Sequence, residues 1–342
     1  MARSASKPMT VAAIARLAGV SAPTVSRVLN GQAGVALRTR QRVEEVLREH
    51  GYQRSEGSGR LAILELVFHA LDSPWALEII RGVEQVSREH ELAVVLTEMQ
   101  GRLTPGRAWT EQVLARRPTG VIAVLSELTV AQQSQLAIRN IPLVVVDPTG
   151  EPLHETPSVG TTNWSGGLAA TRHLVELGHR RIAMACGPTE WPFCRARLDG
   201  YRAAMDAAGL PVDPALMRSS ATLYVADGLE VGTALLSLPE PPTAIVATND
   251  LQAVGVYQAA RRSGVRIPED LSVVGFDDLP FTAWQGPPMT TVHQPLEQMG
   301  ATAARMIGRL AAGQPLEQHR VELATSLVVR ESTAPPGSGL AR

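Results

Sequence analysis

Thr10-Val-Ala-Ala-Ile-Ala-Arg-Leu-Ala-Gly-Val-Ser-Ala-Pro-Thr-Val-Ser-Arg-Val-Leu-Asn-Gly31 is the stretch on which the reading of this chain turns. It holds two short runs of helical periodicity with a glycine between them. Thr10 is placed to cap a first helix that carries Val11, Ile14, Leu17 and Ala18 on one face, and Gly19 ends it in a tight turn. Ser21 is placed to cap a second helix over 22–30. Pro23 sits in its first turn, where no backbone donor is missed, and Val25, Val28 and Leu29 face inward. Two helices joined by such a turn have the geometry that lays the second helix in the major groove of DNA.

Working outward, 38–50 forms a third amphipathic run with Val43, Val46 and Leu47 on one stripe, ending at Gly51-Tyr52. Residues 1–43 contain Arg3, Lys7, Arg16, Arg27, Arg38, Arg40 and Arg42 and no acidic residue. The whole chain carries a net charge of −1, so the remainder is acidic. A basic module on an acidic body is the charge pattern of a nucleic-acid binder. Residues 1–9 read as a flexible basic tail, 10–52 as the DNA-binding domain and 53–60, without one apolar residue, as a linker.

Beyond the linker, apolar runs of strand length alternate with helical patterns. The strand candidates are 61–68, 92–96, 120–125, 143–146, 182–185, 244–247 and 271–276. Such alternation predicts parallel, doubly wound sheets, and about 270 residues of it is too much for one core, so two Rossmann-like lobes with a cleft between them are expected over 61–332. Residues 333–342, rich in Pro and Gly, read as a disordered tail.

No apolar stretch is long enough to span a bilayer, and the first residues lack the apolar segment of a signal peptide, so a cytoplasmic protein is expected. Cys186 and Cys194 have neither metal nor redox spacing and are expected to be reduced. His173 and His179 have no spaced partner, so no metal and no cofactor is expected. No nucleotide-binding loop, nucleophile elbow or zinc motif is present, which argues against an enzyme.

The segment from Thr10 to Tyr52 closely resembles the headpiece of the lactose-repressor (LacI/GalR) family. The match is carried by its Ala-Gly-Val-Ser turn, its Thr-Val-Ser-Arg-Val-Leu-Asn helix and Thr39-Arg40. The resemblance continues almost throughout 61–332. Its signposts include Asn163-Trp-Ser-Gly-Gly167, Arg195-Ala-Arg197-Leu-Asp-Gly-Tyr201, Ala247-Thr-Asn249-Asp250, Asp277-Asp278 and Pro288-Met-Thr-Thr-Val292. It implies an all-α helix-turn-helix headpiece joined to an α/β periplasmic-binding-protein-like effector domain. The function implied is a homodimeric, sequence-specific transcription repressor that a small sugar releases from its operator. An effector-activated regulator, or a solute-binding protein without regulation, are the other readings.

For DNA, Ala22 and Pro23 suit a thymine methyl, Thr24 and Ser26 base or phosphate oxygens, and Arg27 a guanine edge or a phosphate. Arg38 suits a phosphate; Thr10, Ser21, Asn30 and Thr39 complete the candidate set. For the effector, the resemblance implies Arg197, Asn249 and Asp277 as pocket residues, Asp147 beside them and Trp75 as a stacking wall. Trp191, Phe193 and Gln294 join the candidates. Arg197 can fork onto two oxygens, Asp277 can accept from two hydroxyls, and indole faces suit the C–H faces of sugars. Asn249 is equally well placed to cap a helix, and Asp277-Asp278 to form a strand-end turn.

Two departures from the family pattern stand out. The family's leucine-bearing hinge segment has no counterpart in 53–60, which predicts a plain tether and no leucine wedge. Ala221-Thr-Leu-Tyr224 stands where relatives often have Gly-Asp-Phe/Trp-Ser, which makes Tyr224 a weak pocket candidate.

Overall fold

The structure, a computed structural model, describes residues 10–29, 34–50, 63–148 and 156–337. The first three helices are α1 (Val11–Ala18), α2 (Ala22–Leu29) and α3 (Leu37–Glu49). The Thr10 hydroxyl accepts from the Ala13 amide, Gly19 closes α1 at φ +67°, and the Ser21 hydroxyl accepts from the Thr24 amide at 3.3 Å. Ile14, Ala18, Val25, Val28, Leu29, Val43 and Leu47 make a small closed core. Leu17, expected inside, is 48% exposed: its spacing from Ile14 carries it past the stripe that α2 and α3 cover. Gly31, Tyr52 and the 53–60 linker, including the expected absence of a hinge helix, lie outside the described residues.

The first lobe is built from β1 (Ile63–Phe68), α4 (Pro74–Glu89), β2 (Ala93–Glu98), α5 (Arg107–Arg116), β3 (Gly120–Val124), α6 (Val130–Ile138), β4 (Leu143–Val146) and β5 (Ser158–Thr161). The chain then crosses to the second lobe for α7 (Asn163–Glu176), β6 (Ile182–Cys186), α8 (Pro192–Ala207), β7 (Met217–Ser219), α9 (Val225–Leu236), β8 (Ala244–Ala247), α10 (Asp250–Arg262), β9 (Ser272–Asp277) and β10 (Thr290–His293). It returns for α11 (Leu296–Ala311) and β11 (Arg320–Leu323), and crosses a third time into β12 (Ser326–Val328).

The sheet orders are β11-β5-β4-β3-β1-β2 and β12-β10-β9-β8-β6-β7, parallel throughout except for β12 against β10. Every residue of β3, β6, β8 and β9 is buried, as strands covered by helices on both faces require. Five strands escape the sequence reading: β5, β7, β10, β11 and β12 are only three or four residues long and mix polar with apolar residues. Their pairing, not their periodicity, makes them strands.

The crossovers are tied to one another. The Thr162 amide donates to the Leu323 carbonyl at 3.0 Å, the Thr325 amide to the Thr162 hydroxyl at 2.9 Å, and the Thr161 hydroxyl to Gln294 Oε1 at 2.7 Å. Three short, mutually bonded connections are the arrangement about which paired lobes rotate in hinged proteins. On the first lobe, the Arg139 guanidinium at the end of α6 donates to the Val28 carbonyl at 2.6 Å, in the last turn of α2, where carbonyls lack helical partners.

The expected tail at 333–342 is corrected in its first half. The Ala334 amide and carbonyl bond Ser272 Oγ (3.1 Å) and His179 Nε2 (2.9 Å), and the Thr333 hydroxyl meets His173 Nε2 at 2.9 Å. Both histidines are thereby satisfied by hydroxyl and backbone groups. Burial depresses their pKa values, so the neutral imidazole is favoured. Cys186 and Cys194 are free and buried, and burial raises the Cys186 thiol to about 11.

Candidate functional site

Between the lobes, at the carboxyl ends of their strands, lies a cavity of about 310 Å3. Trp75, Asp147, Trp191, Phe193, Arg197, Asn249 and Asp277 all line it. All but Arg197, which lies in the second turn of α8, reach the cavity from the end of an element. Trp75 sits in the first turn of α4, which Ser73 caps; Asp147 directly follows β4; Trp191 and Phe193 flank the start of α8; Asn249 caps α10; Asp277 ends β9.

Arg197 is the electrostatic centre. It is 3% exposed and donates from Nε to Asn163 Oδ1 at 2.9 Å and from Nη1 to the Thr248 carbonyl at 2.7 Å. Nη1 also stands 3.6 Å from Asp277 Oδ1. The guanidinium carbon lies 3.6 Å from the centroid of Phe276 and 5.1 Å from that of Phe193, so its plane is stacked as well as bonded. Such a side chain has one orientation, and it lines the cavity.

Asp147 and Asp277 are each 4% exposed. Burial, opposed by the Arg197 charge, raises Asp147 to about 6. Burial likewise raises Asp277 to about 7, against the lowering effects of Arg197 and of the Gln294 amide, and with a further push from Asp147. Both aspartates have positive φ, +46° and +118°, as does Leu125 at +47° after β3. Non-glycine residues held there at three strand ends mark a site where the surrounding fold imposes the backbone.

Gln294 stands elsewhere than a contact residue would. It is buried behind Asp277 and donates to Oδ1 at 2.6 Å while accepting from Thr161, so it orients the carboxylate and links it to the crossover. Asn249 Oδ1 accepts from the Gln252 amide at 2.9 Å and its Nδ2 donates to the Leu223 carbonyl at 3.1 Å, so the capping role is realised in full at the cavity wall. Asp278 turns away to Arg330 at 2.6 Å and His293 at 3.1 Å. Of the other aromatics, Phe68 is core and Trp164 and Trp284 are exposed, the latter 81%.

The sequence reading missed His69 and Asp72 in the loop after β1, and Leu125 after β3. The signal was available: residues that directly follow a strand in an open α/β sheet face the crevice. The Trp191 ring meets the edge of His69 with centroids 5.9 Å apart and tilts against Phe193 at 5.6 Å, forming an aromatic wall that spans both lobes.

On α2, Ala22, Pro23 and Arg27 are exposed and Ser26 is half-exposed; Pro23 and Arg27 lie opposite Val25, Val28 and Leu29, and Ala22 lies at the start of the helix. The Thr24 hydroxyl is 2.8 Å from that of Ser21. Thr10, Ser21 and Arg38 are exposed and Thr39 half-exposed, whereas Asn30 lies outside the described residues.

A helix-turn-helix headpiece on a two-lobed body with a polar, aromatic-walled cleft defines a ligand-responsive DNA-binding regulator. Residues 10–55 match the family described as bacterial regulatory proteins, lacI family, and residues 171–333 match the periplasmic binding protein-like domain. The chain is 32% identical over 333 residues to the HTH-type transcriptional repressor CytR of Escherichia coli K12, covering 95% of this chain and 96% of CytR. Among solved structures it resembles a transcriptional regulator CelR–cellobiose complex (TM-score 0.72, 32% identity, 95% of this chain and 99% of that one). It also resembles the lac repressor dimer bound to operator and the anti-inducer ONPF (TM-score 0.68, 26% identity, 96% and 100%). The chain belongs to the LacI family of bacterial transcription regulators. No described helix is long and apolar enough to cross a membrane.

Proposed function

We propose that this regulator is a dimeric repressor that reads a palindromic operator with the exposed stripe of α2 and releases it when an uncharged sugar enters the cleft. The cleft chemistry carries the reading. The Arg197 guanidinium is already opposed by Asp277, and Asp147 stands beside it, so no spare positive charge awaits a phosphate or carboxylate. Two carboxyls and one guanidinium offer acceptors and donors to ring hydroxyls, and Trp75, Trp191 and Phe193 offer faces to ring C–H groups. A 32% identical regulator solved as a complex with cellobiose supports the same ligand class.

Sugar must favour one lobe arrangement over the other to act on DNA, and DNA must weaken sugar binding by the same factor. The proposed divisions are a DNA-reading domain at 10–52 and an effector and dimerisation domain at 61–332. A calorimetric panel of pentoses, hexoses and disaccharides, followed by operator titration with any ligand found, tests the reading; a ligand that leaves operator affinity unchanged refutes it.

Hydroxyl donors favour the charged carboxylates, so sugar binding lowers both raised pKa values and releases protons. Sugar affinity is therefore expected to fall as pH drops through about 7 and about 6, the values of Asp277 and Asp147, and to be flat above pH 8. Calorimetry in buffers of different ionisation enthalpy measures the released protons. An affinity unchanged from pH 5.5 to 8 would exclude ionised Asp147 and Asp277 as acceptors.

On the DNA side, Arg27→Ala is expected to weaken cognate-site binding by about 1–3 kcal/mol and to relax preference at one base pair. Equal weakening on all duplexes in an anisotropy titration would assign Arg27 to phosphate instead.

A further inference from the structure

The Tyr224 hydroxyl of the second lobe donates to Asp72 Oδ1 of the first at 3.1 Å. This bond crosses the mouth of the cleft. Both side chains line the cavity and both are exposed, Tyr224 to 38%, so the pair stands where the cavity meets solvent. We propose that Tyr224 and Asp72 form a clasp that holds the lobes closed over a short ligand and so sets the length of sugar the cleft accepts. The proposal rests on the sugar reading of the cleft.

Each partner is anchored within its own lobe, which lets the bond transmit force between them. On the first lobe, Ser73 caps α4, the Leu71 amide donates to Glu98 Oε1 at 3.1 Å, and His69 Nδ1 meets the Arg102 carbonyl at 3.0 Å. On the second, the Tyr224 amide donates to Asp227 Oδ2 at 2.9 Å, the Thr222 hydroxyl donates to the same oxygen, and the Leu223 carbonyl accepts from Asn249. Asn249 is the wall residue that caps α10, so Tyr224 is positioned through the ligand site itself. Burial, then the bond to Asp72, pushes the Tyr224 phenol to about 12, so it stays a donor at any ordinary working pH. The clasp lies at the mouth and the threonine-tied crossovers lie at the hinge, so opening about the hinge must break this bond. On this proposal a short sugar is enclosed beneath the bond, and one long enough to reach the mouth has to displace it.

The test uses the full-length protein and three probes: ribose, glucose and cellobiose. Tyr224→Phe keeps the ring and removes the donor. It is expected to speed dissociation of whichever monosaccharide binds by roughly tenfold while leaving cellobiose unchanged or tighter. Asp72→Asn, which keeps an acceptor, is expected to fall between the two. A merely structural role would weaken all three sugars alike and lower the melting temperature; that result would overturn the clasp. Lobe separation in the sugar-free protein gives an independent readout, from spin labels at Arg107→Cys and Glu230→Cys on the exposed surface, since the native cysteines are buried. Tyr224→Phe should add a more open population, and a distance distribution identical to that of the unsubstituted protein would overturn the proposal. If none of the three probes binds the unsubstituted protein, the wider sugar panel decides the sugar reading, and the label distances decide whether the clasp holds the lobes.

Discussion

An Arg197→Met variant is expected to hold operator DNA almost as tightly as the unsubstituted protein and to lose roughly 30-fold to several-thousand-fold in sugar affinity, because removing one partner of a buried, hydrogen-bonded charge pair costs about 2–5 kcal/mol. Arg197 faces Asp277 and is bonded to Asn163 and the Thr248 carbonyl, while its plane rests on Phe276. Methionine keeps most of the stacking volume and removes every donor. Asp147 and Asp277 then lose the charge that holds their pKa values down, and both take up protons at neutral pH.

The sign of the accompanying stability effect follows. A carboxyl whose folded pKa lies above its unfolded value favours the folded state most when protonated. The contribution is fully present below about pH 4 and is lost as pH rises through the folded value. With that value raised further by the substitution, Arg197→Met should be more destabilised at pH 8 than at pH 5.5. Operator anisotropy with and without sugar, together with thermal unfolding at the two pH values, measures both. A variant still released from operator by sugar at the normal concentration would remove Arg197 from the effector site.

Gly167→Val is the second large effect, and it acts on folding. A Cβ at Gly167 of α7 would sit 2.2 Å from the Arg197 carbonyl oxygen of α8, and one at Gly200 of α8 would sit 2.2 Å from the Trp164 carbonyl oxygen of α7. Both obstacles are backbone, so no rotamer change relieves them and the two helices must part. Overpacking a core costs about 1–3 kcal/mol and occasionally more, against a total stability of about 5–15 kcal/mol. The expected loss is about 3 kcal/mol or above, with sugar affinity falling too, since α8 carries Arg197 and Phe193. Gly308→Ala is the contrast. It lies in α11 with nothing within 4 Å of its added Cβ, and it should stabilise by about 0.5–1 kcal/mol through helix propensity. Denaturant midpoints separate the two; equal midpoints for Gly167→Val and the unsubstituted protein would mean that α7 and α8 are not packed this closely.

Much of this architecture was legible beforehand, for reasons that differ from part to part. The headpiece could be read because its determinants are local. Thr10 and Ser21 cap, Gly19 adopts φ > 0, and a three-residue to four-residue apolar spacing builds the core. The buried strands β3, β6, β8 and β9 could be read because continuous apolar runs bounded by turns leave little alternative. Leu17 was misjudged because a helical stripe does not say how far its neighbours reach. Short strands such as β5 and β11 were invisible because their strand character comes from pairing: β5 lies between β4 and β11, and β11 reaches it across some 160 residues of chain.

In the cleft the same division holds. Residue type and position after a strand point to Asp147, Arg197 and Asp277, yet nothing in their spacing says that Gln294 stands behind Asp277 or that Asn249 spends its amide on a cap. Tyr224 stands where the segment departs from the family pattern, and its partner Asp72 is 152 residues away.

Local chemistry, written in caps, turns and apolar runs, determined that this protein has a DNA-reading headpiece and two wound lobes, because those signals act between residues a few positions apart. The tertiary structure decided which side chains meet in the cleft and which bond spans its mouth. Such meetings depend on three crossings of the chain between lobes, and the angle at which two domains face each other is set by packing and not by any local preference.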